Sequence, residues 1–135
     1  MRVRKVLAIA VAVFFLASCG EQRDGSVATR DRSGIAGRVL VGPQCPVQTV
    51  EHPCADKPAA RSRVTITQQV AADSETEGEV VARTTANGDG DYRVTIAPGR
   101  YVATTDAGMS CQPMVTRVTA RTYSKVDLRC DTGIR

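Results

Sequence analysis

Beyond residue 33 the apolar side chains recur at every second position in short runs, and none recurs at the spacing of about 3.6 residues that a helix requires. Ile35, Gly37, Val39 and Val41 alternate with polar or small neighbours until Gly42-Pro43 ends the run. Val64, Ile66, Gln68 and Val70 alternate with Arg63, Thr65 and Thr67 in the same way. The acidic stretch 72–79 reads as a solvated loop, and residues 80–86 read as a third strand. "NGDGD", residues 87–91, reads as a hairpin connection into a strand over 92–96, because Asn-Gly and Asp-Gly adopt positive φ readily. Ala97-Pro98-Gly99-Arg100 reads as a turn in which Pro presets φ and Gly supplies a positive one. A strand over 101–106 follows, and two more around 113–119 and 124–130 share a turn near Ala120–Thr122. Seven short strands at this spacing predict an all-β fold, a seven-stranded antiparallel β-sandwich.

Composition limits what can fill such a sandwich. A chain of 135 residues holds one domain plus a leader and a tether. Phe14 and Phe15 both fall in the leader and there is no Trp, so Tyr92, Tyr101 and Tyr123 are the domain's aromatics. Val, Ile, Ala and Leu must do the packing, helped by cross-links. The formal charge of +4 is inflated by Arg2, Arg4 and Lys5; without them fifteen basic side chains face fourteen acidic ones. Mixed charge with few aromatics lacks the basic stripe and stacking platforms of a nucleic-acid binder. No nucleic-acid partner is expected.

Residues 1–18 read as a secretory signal. Arg2, Arg4 and Lys5 supply the positive start, and Val6–Leu16 form an apolar stretch of eleven residues, well short of the roughly 20 that span a bilayer. Leu16-Ala17-Ser18-Cys19, followed by Gly20, resembles the bacterial lipoprotein lipobox, in which the cysteine accepts a diacylglycerol and becomes the new N-terminus. The resemblance implies lipidation at Cys19 and a location on the extracytoplasmic face of the cell membrane. Residues 20–33 are polar and rich in charge, Gly and Ser, so 19–33 read as the lipidated N-terminus and a disordered tether.

Residues 34–135 carry a family resemblance. The opening "GIAGRVLVGPQCPV", the "TTANGDGDYRV" hairpin, the "APGRYVAT" turn and the terminal "DTGIR" are similar to carboxypeptidase regulatory-like domains. Those are transthyretin-like (prealbumin-like) seven-stranded sandwiches, found also in small bacterial lipoproteins. In the enzymes that named the family the module accompanies a separate zinc peptidase domain. This sequence shows neither that domain nor an HxxE-like ligand set, so the resemblance implies no catalytic role and no cofactor.

Cys45, Cys54, Cys111 and Cys130 belong to an exported chain, where disulfides are the default. Three connectivities exist. Cys45–Cys54 would close the proline-rich loop "CPVQTVEHPC", and a hairpin of the last two strands would set Cys111 opposite Cys130. The alternative is a soft metal site drawing on Met109, Cys111 and Met114, with His52 recruited from beside Cys54. Against it stand a single His, no CxxC and an oxidising compartment.

Other constellations are weaker. A calcium loop starting at Asn87 would need Gly at its sixth position and Glu at its twelfth, and finds Tyr92 and Pro98. A contact from Asp89 and Asp91 to a cation stays open. His52 is the sole imidazole, next to Glu51 and Pro53, and no GxSxG elbow occurs. Asp73 and Glu75 lie in the acidic loop, where nothing tunes their pKa values. Tyr123 and Lys125 would sit on a turn beside a sheet edge, and an edge accepts a partner strand. The expected function is a lipid-anchored, non-catalytic module that binds or scaffolds at the cell surface, held to the membrane through Cys19, with a cell-envelope protein as partner. The second reading is a small-ligand or metal-binding lipoprotein.

Overall fold

The computed structural model describes residues 32–72 and 74–135. The leader, Cys19, most of the tether and Asp73 lie outside the described residues. Within them the chain forms strands and no helix. In order these are β1 (Gly34–Gly42), β2 (Lys57–Pro58), β3 (Arg63–Gln69), β4 (Glu77–Thr85), β5 (Asp91–Thr95), β6 (Gly99–Thr105), β7 (Ser110–Cys111), β8 (Met114–Val118), β9 (Tyr123–Lys125) and β10 (Leu128–Asp131). β9 and β10 keep one register against β1 across the break at Val126–Asp127, so they act as a single interrupted strand. With the two-residue β2 and β7 set aside, seven strands remain.

They form the two sheets of a β-sandwich. In the first, β1 is central: β5 and then β2 run along one side, β9 and then β10 along the other, with β7 beyond β10. The second is β4-β3-β6-β8, antiparallel throughout. One pairing runs the other way: β1 and the C-terminal strand are parallel neighbours, Gly34 against Tyr123 and Gly42 against Asp131. Period-two alternation tells which face of a strand is buried. It is silent on which strand lies beside it and in which direction.

Two expected hairpins are not formed. The turn at 87–91 has the anticipated local chemistry: Gly90 has φ of +77°, its N–H donates to the Asn87 carbonyl (3.1 Å), and the Asn87 N–H donates to the Asp91 carbonyl (2.9 Å). It nevertheless joins β4 in the second sheet to β5 in the first, so it is a crossover between layers. The turn at 120–122 likewise carries the chain from β8 in the second sheet to β9 in the first. Its positive φ falls on Arg121 (+63°), a residue without turn propensity. Gly99 has no positive φ; it opens β6, and its missing side chain makes room for the Tyr101 ring, whose hydroxyl donates to the Ala97 carbonyl (2.8 Å).

Ile35, Val39, Tyr92, Val126 and Leu128 of the first sheet pack against Val64, Ile66, Tyr101, Ala103 and Val118 of the second. Tyr92 is 4 % exposed, and its hydroxyl reaches the Val126 carbonyl (2.7 Å), so its one polar atom is satisfied. Two disulfides supplement this aromatic-poor core. Cys45–Cys54 closes the loop after β1, and Cys111–Cys130 ties β7 to β10 with Cα atoms 4.0 Å apart. Although the last two long strands form no hairpin, the short β7 sets Cys111 opposite Cys130.

Two stability changes follow from this packing. A Cβ on Gly37 would fall on the Val126 carbonyl, where β1 meets the break between β9 and β10. Gly37→Ala is expected to lower the unfolding free energy by more than about 2 kcal/mol, read by urea denaturation. Replacing Cys111 and Cys130 together by Ser is expected to cost about 2–4 kcal/mol, chiefly by freeing the unfolded chain, in the same assay.

Candidate functional site

The outward face of the first sheet gathers the polar chemistry. Along β5, Tyr92 points into the core while Asp91, Arg93 and Thr95 point away from it. Along β1, Ile35 and Val39 are core residues, which turns Ala36 and Arg38 outward. The parallel register then sets Tyr123 beside Gly34 and Lys125 beside Ala36, with Thr95 and Arg93 on the opposite flank of those same two residues. Gly34 and Ala36 are the reason the flanks can meet. With no side chain at Gly34, the Tyr123 ring lies across β1, and its hydroxyl shares a hydrogen bond of 2.7 Å with the Thr95 hydroxyl. The Arg93 guanidinium stacks on that ring, its Cζ 3.5 Å from the centroid.

Carboxylates frame this pair. Arg38 Nε donates to Asp91 Oδ1 (2.8 Å), the Arg38 backbone N–H donates to Asp127 Oδ1 (3.0 Å), and Lys125 Nζ lies 3.7 Å from Asp127 Oδ2. Arg93 has no ion-paired carboxylate among the described residues. The surface is a shallow, open concavity of about 760 Å³, completed by Thr84, Thr85 and Asn87 at the β4–β5 junction. The Thr95 hydrogen bond, and then Arg93, hold the Tyr123 hydroxyl below the usual phenol range. Burial, and then the charge of Asp127, push Tyr92 well above it.

The same strand offers its backbone. Among the described residues β5 pairs with β1 alone, and the flanking bonds, Val39 N–H to the Gly90 carbonyl and Ile96 N–H to the Ser33 carbonyl, place its ladder bonds at Tyr92 and Val94. The backbone groups of alternate residues point outward. Asn87 satisfies those of Asp91, its side-chain oxygen accepting the Asp91 N–H at 2.9 Å. Arg93 and Thr95 are left as the open edge. Chemically the site can recognise: it offers cationic donors, an aromatic ring and a strand edge.

The residues singled out in the sequence are dispersed. Tyr123 and Lys125 belong to this face, on a strand where a turn was expected. His52 is exposed in the disulfide-closed loop, its N–H donating to Thr49 Oγ1 (3.0 Å). Cys111 is bonded to Cys130, which removes its thiolate from any set with Met109 and Met114; Met109 is 81 % exposed. In the 87–91 turn, Asn87 Oδ1 accepts the Asp89 and Asp91 N–H groups, and the Asp91 carboxylate is engaged by Arg38. Glu75 is exposed on the loop before β4. Among the described residues no three His, Cys, Asp or Glu side chains converge as metal ligands, and no helix is long and apolar enough to cross a membrane. The sequence reading missed Arg38, Arg93 and Thr95. The alternation of "DYRVT" marks Arg93 and Thr95 as outward, but nothing local says that Tyr123 lies beside them.

Among solved structures the chain is similar to GBS52, the minor pilin of the gram-positive pathogen Streptococcus agalactiae, with a TM-score of 0.51 at 9 % identity. The match covers 75 % of this chain and 45 % of the pilin chain, so this chain spans less than half of that protein. What the two share is the β-rich fold. No family model matches the chain, and no curated protein sequence does.

The two shifted tyrosines give a titration test. Because folding raises the Tyr92 pKa, its contribution to stability is complete below the ordinary phenol value of about 10 and is lost as pH rises beyond it. In an alkaline ultraviolet titration Tyr123 is expected to ionise ahead of Tyr92. Stability is expected to fall above about pH 10, and Tyr92→Phe is expected to flatten that fall.

Proposed function

We propose that this protein is a lipid-anchored, extracytoplasmic module of the carboxypeptidase regulatory-like type, without catalytic activity, that docks a protein of the cell envelope on the β5 edge. The observation that carries this reading is Arg93, which joins an open backbone edge to a side chain stacked on Tyr123. A partner strand added alongside β5 would pair with the backbone of Arg93 and Thr95, and its side chains would meet the Tyr123–Lys125 face. The open concavity suits a protein surface better than a small ligand, whose sites enclose most of its surface. The address rests on the leader, the lipobox at Cys19 and two disulfides that require an oxidising compartment. A pilin on the same fold accords with a scaffolding role.

Mass analysis of the mature protein is expected to find an N-terminal Cys19 carrying acyl chains. Cleavage elsewhere, or an unmodified N-terminus, overturns the anchor. For docking, a photo-reactive residue at position 100 serves as control for one at position 95 on intact cells. Positions 95 and 125 are each expected to capture one envelope protein, and adding Thr95→Pro to the position-125 probe is expected to abolish its capture by removing an outward N–H. Equal capture with and without Thr95→Pro overturns strand addition.

A further inference from the structure

The end of the sandwich at which the described chain begins gathers arginines without ion pairs. Ser33 and Gly34 are tied to both turns there: the Ile96 N–H donates to the Ser33 carbonyl (3.0 Å), and the Gly34 N–H donates to the Thr122 carbonyl (3.1 Å). The turn after β5 leads directly to Arg100, and the turn after β8 holds Arg121. Tyr101 and Val118 are core residues, which turns their neighbours Arg100 and Arg117 outward, and register sets these two arginines directly opposite one another. Arg32 precedes the first strand. All four are exposed, and none is ion-paired among the described residues.

Like charges directly opposite across a strand pair are unfavourable on their own, and no carboxylate of this end relieves them. Among the described residues those carboxylates are Glu75, Glu77 and Glu79, on β4 and the loop before it. β4 stands two strand spacings from β6 and three from β8, about 10 and 14 Å. The ion-paired Asp56, Asp91, Asp106 and Asp131 lie toward the opposite end of the strands. The turn tips, Ala97-Pro98 and Ala120, are exposed and small, so nothing bulky or acidic holds the arginines off a flat surface.

We propose that this end docks on the anionic phospholipid headgroups of the membrane that carries the protein. Arg100 and Arg117 receive headgroup phosphates, which match the planar fork of a guanidinium, and Arg32 and Arg121 extend the contact around the end. The occupant follows from charge and from where the chain leads. Residues 20–31 join Arg32 to Cys19 and span at most about 45 Å, so an acylated Cys19 keeps this end within reach of lipid. Each arginine near an anionic surface strengthens attachment roughly fivefold, a modest gain that suffices for a domain already tethered. The acidic β4 side is repelled by the same surface, which tilts the domain onto its β6–β8 corner. The inference rests on the anchored reading proposed above and adds to it which end faces the lipid; it makes no use of the β5 edge.

The test uses the full chain purified from a bacterial membrane and reconstituted in phosphatidylcholine vesicles, with or without about 30 % phosphatidylglycerol. A photo-reactive residue at position 120 is expected to cross-link to phospholipid in the anionic vesicles and at least about tenfold less in the neutral ones. One at position 50, exposed on the disulfide-closed loop beyond the other end of β1, is expected to give no lipid adduct in either. Arg100→Glu with Arg117→Glu is expected to lower the position-120 yield at least about tenfold. That reversal exchanges one like-charge pair for another, so the strand pairing is no worse, which urea denaturation checks. Absence of the adduct at 120, equal yields in the two vesicles, equal yields at 50 and 120, or indifference to the charge reversal each overturns the contact. The mass of the N-terminus reads the anchor separately: acyl chains without the adduct leave the anchor and overturn the contact, and the adduct without acyl chains does the reverse.

Discussion

The structure depends on the parallel contact between its first strand and its last. Among the described residues β1 pairs with β2, β5, β9 and β10, so the first sheet is assembled on β1. That contact is close: the Val126 carbonyl occupies the space that a side chain on Gly37 would take, and the Val126 N–H donates to the Ala36 carbonyl (2.9 Å). Asp127 then turns its carboxylate onto the Arg38 N–H, carrying the pairing across the break between β9 and β10. Joining chain segments about 90 residues apart costs loop-closure entropy, which burial of Ile35, Val39 and Leu128 offsets.

A core with so few aromatics uses them carefully. Tyr92 and Tyr101 each bury a ring and return the hydroxyl to a backbone carbonyl, which avoids the cost of an unsatisfied polar group. Tyr123 is the exception, turned outward across Gly34 and occupied with Thr95 and Arg93. The two disulfides reinforce the parts the core serves least, the long loop after β1 and the short β7.

The sandwich presents two unlike outer faces. The first sheet offers cations around one ring beside an open edge; the second turns mostly polar side chains outward, among them Thr65 and Gln69 of β3 and Arg100 and Thr104 of β6. Because they lie on opposite sides of the core, occupation of one leaves the other accessible.

Much of this was legible in the chain itself. Alternation from Ile35 to Val41 and from Val64 to Ile66 sorts core from surface, because a strand's side chains alternate whatever lies beside it. The turn at 87–91 was legible for the same reason: Asn87 and Gly90 act through bonds no longer than the turn. The layer each strand joins was not, so the 87–91 and 120–122 turns were read as hairpins where the chain crosses between sheets. The candidate face was half legible, Tyr123 and Lys125 being noticeable as an aromatic and a cation near an edge. Arg93 joins them only through a register that sets residue 93 and residue 125 on either side of residue 36. Local periodicity is a property of the backbone and is written in the sequence. Register between distant strands is decided by the fit of side chains across the whole core, and only the folded chain settles it.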